Sequence, residues 1–151
     1  MATIPEGGSE AKETNVQQRN TLQEQNMALM RRFSEARANK DPEAIMGCLT
    51  EDVVWRYPGR NVHSREYRGK EEVAGFFRGL QDATGDDFSS EVGRILVDET
   101  VALVHELPRG TINGKSLEWE TLLMFGLREG KIAEVKVFQH TQYELDAWWN
   151  S

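Results

Sequence analysis

The first group of residues with side chains suited to chemistry lies in the stretch DVVWRYPG, residues 52–59. β-Branched residues lead into Trp55 and Tyr57, and Pro58 with the following glycine ends the run, which predicts a strand over residues 53–57. Alternate strand residues point to opposite sides of a sheet, and Arg56 is expected to face solvent. Trp55 and Tyr57 therefore face the interior, where the Tyr57 phenol could donate a hydrogen bond to an oxygen that develops negative charge.

A second group of polar side chains belongs to a strand predicted over residues 131–140. If Lys136 points outward, the same alternation sends inward Val135, Val137, Gln139 and Thr141. Gln139 and Thr141 are then candidates for binding the polar atoms of a substrate, with Val137 in the apolar wall beside them. His140 shares the outward parity of Lys136, although a bulge near the strand end could turn it inward.

The histidines and the cysteine are scattered along the chain. His63 lies in the polar loop after the first strand, where it is a candidate lid and substrate contact, with an exposed loop position as the alternative. His63, His105 and His140 lack the ligand spacing of a zinc site, so no metal is predicted. Cys48 is the single cysteine and has no histidine nearby in sequence, so a buried, unreactive thiol is expected.

The composition limits the class of partner. With 151 residues, 38% apolar and 28% charged, the chain fits one domain with its own core. A formal charge of −7 disfavours binding to nucleic acid or to an anionic membrane surface, because both partners would carry the same sign. No apolar run approaches the roughly 20 residues that span a bilayer, and the N-terminus does not read as a secretory signal. The sequence therefore predicts a cytoplasmic protein, and an apolar or neutral small molecule, or another protein, suits its charge better as a partner.

Three helices are predicted in the first half of the chain. Residues 1–14 are rich in Gly, Ser, Glu and Lys, which predicts a disordered tail and leaves 15–151 as a single domain. A long amphipathic helix is predicted over 16–38. A short helix follows, with Asp41 as its N-cap and proline in its first turn. Apolar residues at helical spacing predict the third helix over residues 69–83.

The second half of the chain is predicted to form strands. Asn113-Gly114 and Glu129-Gly130 are hairpin turn signals, which indicates an antiparallel meander. Helices followed by such a sheet are typical of an α+β fold. Some late strands are apolar on both sides, so a homodimer through the sheet face is expected. The predicted strands cover residues 88–97, 100–107, 116–127 and 131–140.

The order of these elements and the wording of several stretches resemble a known family. The pieces are NKDPEAI, LTEDVVW, YRGKEEVAGFF, LREGKIAEVKVF and QYELDAWW, spread over about residues 20–150. They resemble the SnoaL-like polyketide cyclases and ketosteroid isomerase-like proteins of the nuclear transport factor 2-like superfamily. The resemblance implies a cone-shaped α+β domain whose curved sheet wraps around N-terminal helices and encloses an apolar pocket. It also implies acid/base chemistry without a metal or other cofactor, in cyclisation, isomerisation or dehydration, or ligand binding alone.

The resemblance adds further site residues. Aligned on the family pattern, the strand before the last places inward Trp119, Thr121 and Leu123. Comparison with the limonene epoxide hydrolase branch places Glu106 at a catalytic acid position, and a carboxyl among aromatic rings is expected to have a raised pKa. That branch uses an Asp-Arg-Asp catalytic set, and its other two positions are occupied in this chain by Val104 and Val137. Where ketosteroid isomerase has a carboxylate before proline, this chain has Tyr57.

We therefore predict that Glu106 transfers the substrate proton and that Tyr57 donates a hydrogen bond to the substrate oxygen at which negative charge develops. Trp55 and Trp119 are predicted to position the substrate. Four alternatives stay open. Glu106 could lie in solvent near a strand end, because Leu107 and a proline follow it. The two indoles could be ordinary core packing. The protein could bind a ligand without catalysis, or act in assembly through its sheet face.

Overall fold

The structure is a computed structural model and describes residues 7–151. Within these residues, four helices and seven strands follow one another. In order they are α1 Gly7–Ala38, α2 Pro42–Gly47, β1 Leu49–Tyr57, β2 Arg65–Arg68, α3 Gly69–Thr84, β3 Ser89–Val97, β4 Val101–Ile112, β5 Lys115–Glu118, β6 Thr121–Arg128, β7 Lys131–Gln139 and α4 Gln142–Trp149.

The strands form one sheet in the order β2-β1-β7-β6-β4-β3, with β5 paired to β4. The antiparallel meander is confirmed for β3, β4, β6 and β7, whereas β1 pairs with β7 in parallel. The curved sheet wraps around α1 and α3, which is the α+β cone predicted from the sequence. β2 and α4 are additional elements that the sequence patterns did not predict.

The first helix begins at Gly7, earlier than the predicted start near residue 16. Its inward stripe is buried and consists of Leu29, Met30, Phe33 and Ala36. Residues 10–22 are exposed, and many are helix-forming Glu, Lys, Gln and Arg, which extend an existing helix at little cost. The predicted disordered tail therefore differs from the structure over 7–14, and its first six residues lie outside the described residues.

The predicted strand 116–127 is two strands, separated at Trp119 and Glu120. The two halves pair with different parts of β4, and the Trp119 amide donates to the Pro108 carbonyl at 3.0 Å. Both hairpin predictions are confirmed, because the turn residues have the positive φ that two-residue hairpins require. Their φ angles are 50° and 79° at Asn113 and Gly114, and 51° and 73° at Glu129 and Gly130.

The core is centred on Trp55, which is 2% exposed. Its indole packs against four phenylalanine rings at centroid distances of 5.2 to 6.3 Å, contributed by α1, α3 and β6: Phe33, Phe76, Phe77 and Phe125. Offset and edge-on contacts of this kind stabilise a core beyond simple area burial. Trp55 is thus part of the main core, as one of the sequence alternatives proposed.

Candidate active site

Two adjoining cavities lie between the helices and the sheet. The outer cavity has a volume of about 310 Å³ and lies between α1, α2, α3 and the start of β3. The inner chamber is lined mostly by buried residues and measures about 30 Å³, which is room for one or two water molecules. The residues that line both spaces, and so separate them, are Arg37, Phe77, Leu80 and Phe88.

Eight of the ten predicted site residues line the inner chamber. They come from β1, β4, the break before β6, and β6 and β7: Trp55, Tyr57, Glu106, Trp119, Thr121, Leu123, Val137 and Gln139. Alternation along the strands brings them to one side of the sheet, and the register places Glu106 opposite Thr121, and Thr121 opposite Gln139. His63 and Thr141 line neither space.

Glu106 is 1% exposed, so the alternative of a solvent-facing strand end is wrong. Its carboxylate is held by the Arg37 guanidinium, with Nη1 to Oε1 at 2.5 Å and Nη2 to Oε2 at 3.2 Å. The Ser90 hydroxyl donates to Oε2 at 3.0 Å. A bidentate guanidinium compensates a buried carboxylate charge far better than a single donor. The Glu106 side chain thus accepts three hydrogen bonds from Arg37 and Ser90.

The Tyr57 phenol is buried and accepts a hydrogen bond from Trp149 Nε1 at 3.0 Å. Desolvation raises the pKa of Tyr57 well above its ordinary value, so the phenol stays neutral at physiological pH. Among the described residues, no acceptor takes its hydroxyl hydrogen. A neutral phenol with a free O–H is the form that can donate to a developing oxyanion.

Other polar groups of the inner chamber lack protein partners. Within residues 7–151, the indole Nε1 atoms of Trp55 and Trp119 and the Oε1 atom of Gln139 are buried without a hydrogen bond. Buried polar atoms are nearly always paired, because an unpaired group loses its solvation without compensation. The chamber therefore presents two donors and one acceptor suited to the polar atoms of a small molecule.

Helix α4 closes the sheet end next to this chamber. Its indoles, Trp148 and Trp149, pack on Trp119 at 5.3 and 6.1 Å. Asp146 holds the loop after β1 through the Arg60 amide at 3.0 Å and the Asn61 side chain at 2.7 Å. Close approach at Gly59 makes this possible, since a Cβ there would collide with α4 and its φ is +98°. The two tryptophans are thus buried against Trp119, while Tyr143 on the same helix is 95% exposed.

Two predicted site residues need correction. His63 is buried rather than exposed, and its ring lies edge-on to Trp149 at 4.5 Å, outside both cavities, because the Asp146 contacts draw its loop onto α4. Thr141 lies beyond the end of β7, at the N-cap position of α4, so the strand alternation no longer applies to it. His105 faces outward as predicted and pairs with Glu120 at 3.0 Å. His140 is exposed.

The burial of His63 predicts a pH-dependent stability. Desolvation lowers the pKa of His63 below the value of about 6.5 that it has in the unfolded chain. The unfolded state therefore binds a proton more readily, so stability is fully present above about pH 6.5 and is lost as the pH falls towards the lower folded pKa. We expect His63→Phe to lose less unfolding free energy than wild type between about pH 7.5 and about pH 5.5.

Urea unfolding at the two pH values measures this difference. The exposed His140→Gln variant is the control and should keep the wild-type pH dependence. Equal losses in wild type and His63→Phe would contradict the assignment.

The architecture defines the class of the protein. The curved sheet and helices are shared with Bal32a from a soil-derived mobile gene cassette, at 22% identity and a TM-score of 0.82 over 85% of this chain and 98% of that one. A nuclear transport factor 2-like protein from Burkholderia pseudomallei has 19% identity and a TM-score of 0.76 over 84% and 98%. An LEH-like epoxide hydrolase from M. tuberculosis has 19% identity and a TM-score of 0.65 over 84% of this chain and 92% of that one. The fold is therefore nuclear transport factor 2-like.

Within that class, the SnoaL-like domain family matches residues 30–135, and the chain belongs to that family. None of the curated proteins matches the sequence significantly. Membership in this family indicates an enzymatic or binding role towards small molecules. None of the helices within residues 7–151 is both long and apolar enough to cross a membrane.

Proposed function

We propose that the protein catalyses an acid/base reaction on a small hydrophobic molecule, such as a cyclisation, isomerisation or dehydration, with Glu106 as the base. The observation that carries the proposal is the buried Glu106 carboxylate beside the unpaired donors of the inner chamber. A carboxylate in the wall of an aromatic chamber can reach a substrate carbon there, and a positioned carboxylate can act as a general base that removes a proton from carbon. The SnoaL-like family and the epoxide hydrolase-like neighbour support a small-molecule substrate.

In the proposed step, Glu106 takes a proton from the carbon next to a carbonyl group. The electron pair of the broken C–H bond forms a carbon–carbon double bond, and the π pair of the carbonyl moves to its oxygen, which becomes the enolate oxygen. Tyr57 donates its O–H to that oxygen, and the indole of Trp119 lines the same chamber with its own unpaired donor. Fixed donors at a developing oxyanion contribute strongly because they need no reorganisation during the reaction. The proton held on Glu106 returns to the product at a different atom or exchanges with water.

The chamber of about 30 Å³ admits only the reacting end of a substrate. The larger outer cavity adjoins it across Arg37, Phe77 and Phe88 and has the size of a small-molecule site. In this proposal the body of the molecule lies in the outer cavity, and its reactive group passes between these side chains to Glu106.

A second candidate function is ligand binding without catalysis. The observation that favours it is the Arg37–Glu106 pair itself, in which both carboxylate oxygens are hydrogen-bonded. Such a pair also occurs in proteins where the cation only compensates a buried charge and the carboxylate has no catalytic role. In that case the same cavities bind a molecule and Glu106 takes no proton.

Deuterium exchange distinguishes the two functions without knowledge of the product. Wild-type protein is incubated in D₂O with a panel of small aromatic ketones that carry enolisable hydrogens, and mass spectrometry measures deuterium gained at carbon. Catalysis predicts exchange above the buffer rate for some members of the panel. Ketones that bind but exchange only at the buffer rate would favour the binding protein.

We also infer a homodimer through the outer face of the sheet. Adjacent outward positions on β6 and β7 carry large apolar side chains that are 37% to 52% exposed: Leu122, Met124 and Phe138. Leu103 and Leu107 on β4 border them. An apolar surface that continues across several strands is typical of an association site.

A cytoplasmic location stays a prediction from the sequence.

The expected result for Leu122→Lys/Phe138→Lys is a monomer. Two lysines would bring like charges together across the twofold axis and remove apolar area from the contact. Light scattering coupled to gel filtration should give twice the chain mass for wild type and one chain mass for the variant. Tyr143→Lys, at an exposed position on α4, should remain dimeric. A wild-type protein of one chain mass would refute the dimer.

A further inference from the structure

The outer cavity is lined by positively charged groups, although the chain as a whole is acidic. Arg37, Lys40 and Arg78 all contribute to its wall, together with a single described carboxylate, Asp86. The chain has a formal net charge of −7, so the charge around this cavity is opposite in sign to the net charge of the protein. Charges concentrated in a cleft with apolar walls act on a ligand more strongly than the same charges spread over a surface.

Each cation keeps some capacity to bind a ligand. Arg37 has five N–H donors, and the Glu106 carboxylate takes two hydrogen bonds from it. Lys40 donates to the backbone carbonyl of Asp86, and no carboxylate within residues 7–151 pairs with its charge. The Arg78 side chain has no ion pair or hydrogen bond within the described residues and is exposed at the cavity wall.

The remaining wall combines hydroxyl groups with an apolar surface. Ser34, Ser89 and Ser90 line the cavity beside these cations. The apolar part comes from α2, α3 and β3, namely Ile45, Met46, Phe77, Phe88 and Val92. Cationic and hydroxyl groups on an apolar cavity match a molecule that has a ring or chain body and an acidic group.

We propose that the outer cavity binds amphipathic anions, in which a carboxylate or phenolate lies among Arg37, Lys40 and Arg78 and the apolar body packs on Phe77 and Phe88. This names the substrate class of the proposed function and rests on it. The three cationic side chains would bind the acidic group in the outer cavity. The uncharged, reactive end of the molecule would then point towards Glu106, because Arg37 borders both spaces.

Two dyes with the same ring system test the inference. 1-Anilinonaphthalene-8-sulfonate carries an acidic group, and N-phenyl-1-naphthylamine lacks it. Fluorescence titration should give tighter binding of the sulfonate by wild type. We expect Lys40→Met/Arg78→Met to weaken the sulfonate about tenfold and to change the neutral dye by less than about twofold. Added salt should weaken the sulfonate alone.

The matched control is Arg31→Met/Arg94→Met, which removes the same charge at two exposed positions that do not line the cavity. It should bind both dyes as wild type does. A sulfonate affinity unchanged in Lys40→Met/Arg78→Met overturns the inference while the neutral dye still reports a working cavity, and the proposed function then stands. Failure of wild type to bind either dye overturns the inference and also contradicts the proposed small-molecule site.

Discussion

Glu106→Gln lowers enzyme-catalysed deuterium exchange by about 10² to 10⁴-fold, the range that a positioned general base contributes. Glutamine has nearly the same shape, and its amide oxygen still accepts from Ser90, but it has no carboxylate to remove a proton. The assay follows deuterium gained by the most reactive ketone of the panel. The mass shift is measured at equal protein concentration.

Binding of N-phenyl-1-naphthylamine reports whether Glu106→Gln keeps its cavity. Glu118→Gln is the matched control, because it changes an exposed carboxylate on β5, and it should exchange at the wild-type rate. A Glu106→Gln protein that binds the neutral dye and exchanges as fast as wild type would refute the catalytic role and leave ligand binding as the function.

Arg37→Met destabilises the protein by about 3 to 5 kcal/mol, because it leaves the buried Glu106 charge without compensation. Methionine fills similar space, so little of this loss comes from packing. Adding Glu106→Gln to Arg37→Met should restore much of the stability, since the uncompensated charge is then gone. The two substitutions are thus expected to be strongly non-additive.

Urea unfolding of wild type, both single variants and the double variant gives the coupling free energy of the pair. Arg31→Met, an exposed arginine on the same helix, should change stability by no more than about 0.5 kcal/mol. Additive losses in Arg37→Met and Glu106→Gln would show that the two side chains do not depend on each other.

The strand alternation predicted half of the eight site residues that line the inner chamber, namely Trp55, Tyr57, Val137 and Gln139. Trp55 and Tyr57 face inward, on the side opposite to Arg56 between them. The family resemblance supplied the other four, Glu106, Trp119, Thr121 and Leu123, and no periodicity would single out Glu106. The break at Trp119 was not visible in the sequence, yet the indole still reached the chamber.

Arg37 is the functional residue that the sequence reasoning missed. On a helix, an arginine at the edge of an apolar stripe usually faces solvent, and its charge gave no reason to place it inside. One signal was present: Arg37 follows Leu29 and Phe33 at intervals of four residues, so it shares their buried face. A buried glutamate also requires a cation, which would have directed attention to this position.

The outer cavity and the position of His63 could not be read from local patterns. The cavity wall combines the end of α1, the turn before α2, one face of α3 and the first residues of β3. These segments meet only through tertiary packing, and no spacing rule relates Lys40 to Asp86. His63 is buried because Asp146 on α4 binds Asn61 in the same loop, and these two residues are 85 positions apart.

The Arg37–Glu106 contact also bears on the order of folding. The two residues are 69 positions apart, and the carboxylate on β4 becomes favourable to bury only once the guanidinium on α1 is beside it. Burial of this part of β4 is therefore expected to occur late in folding, after α1 has packed against the sheet. Closure of so long a loop slows the search for the native state, so α1 docking is expected to set the refolding rate.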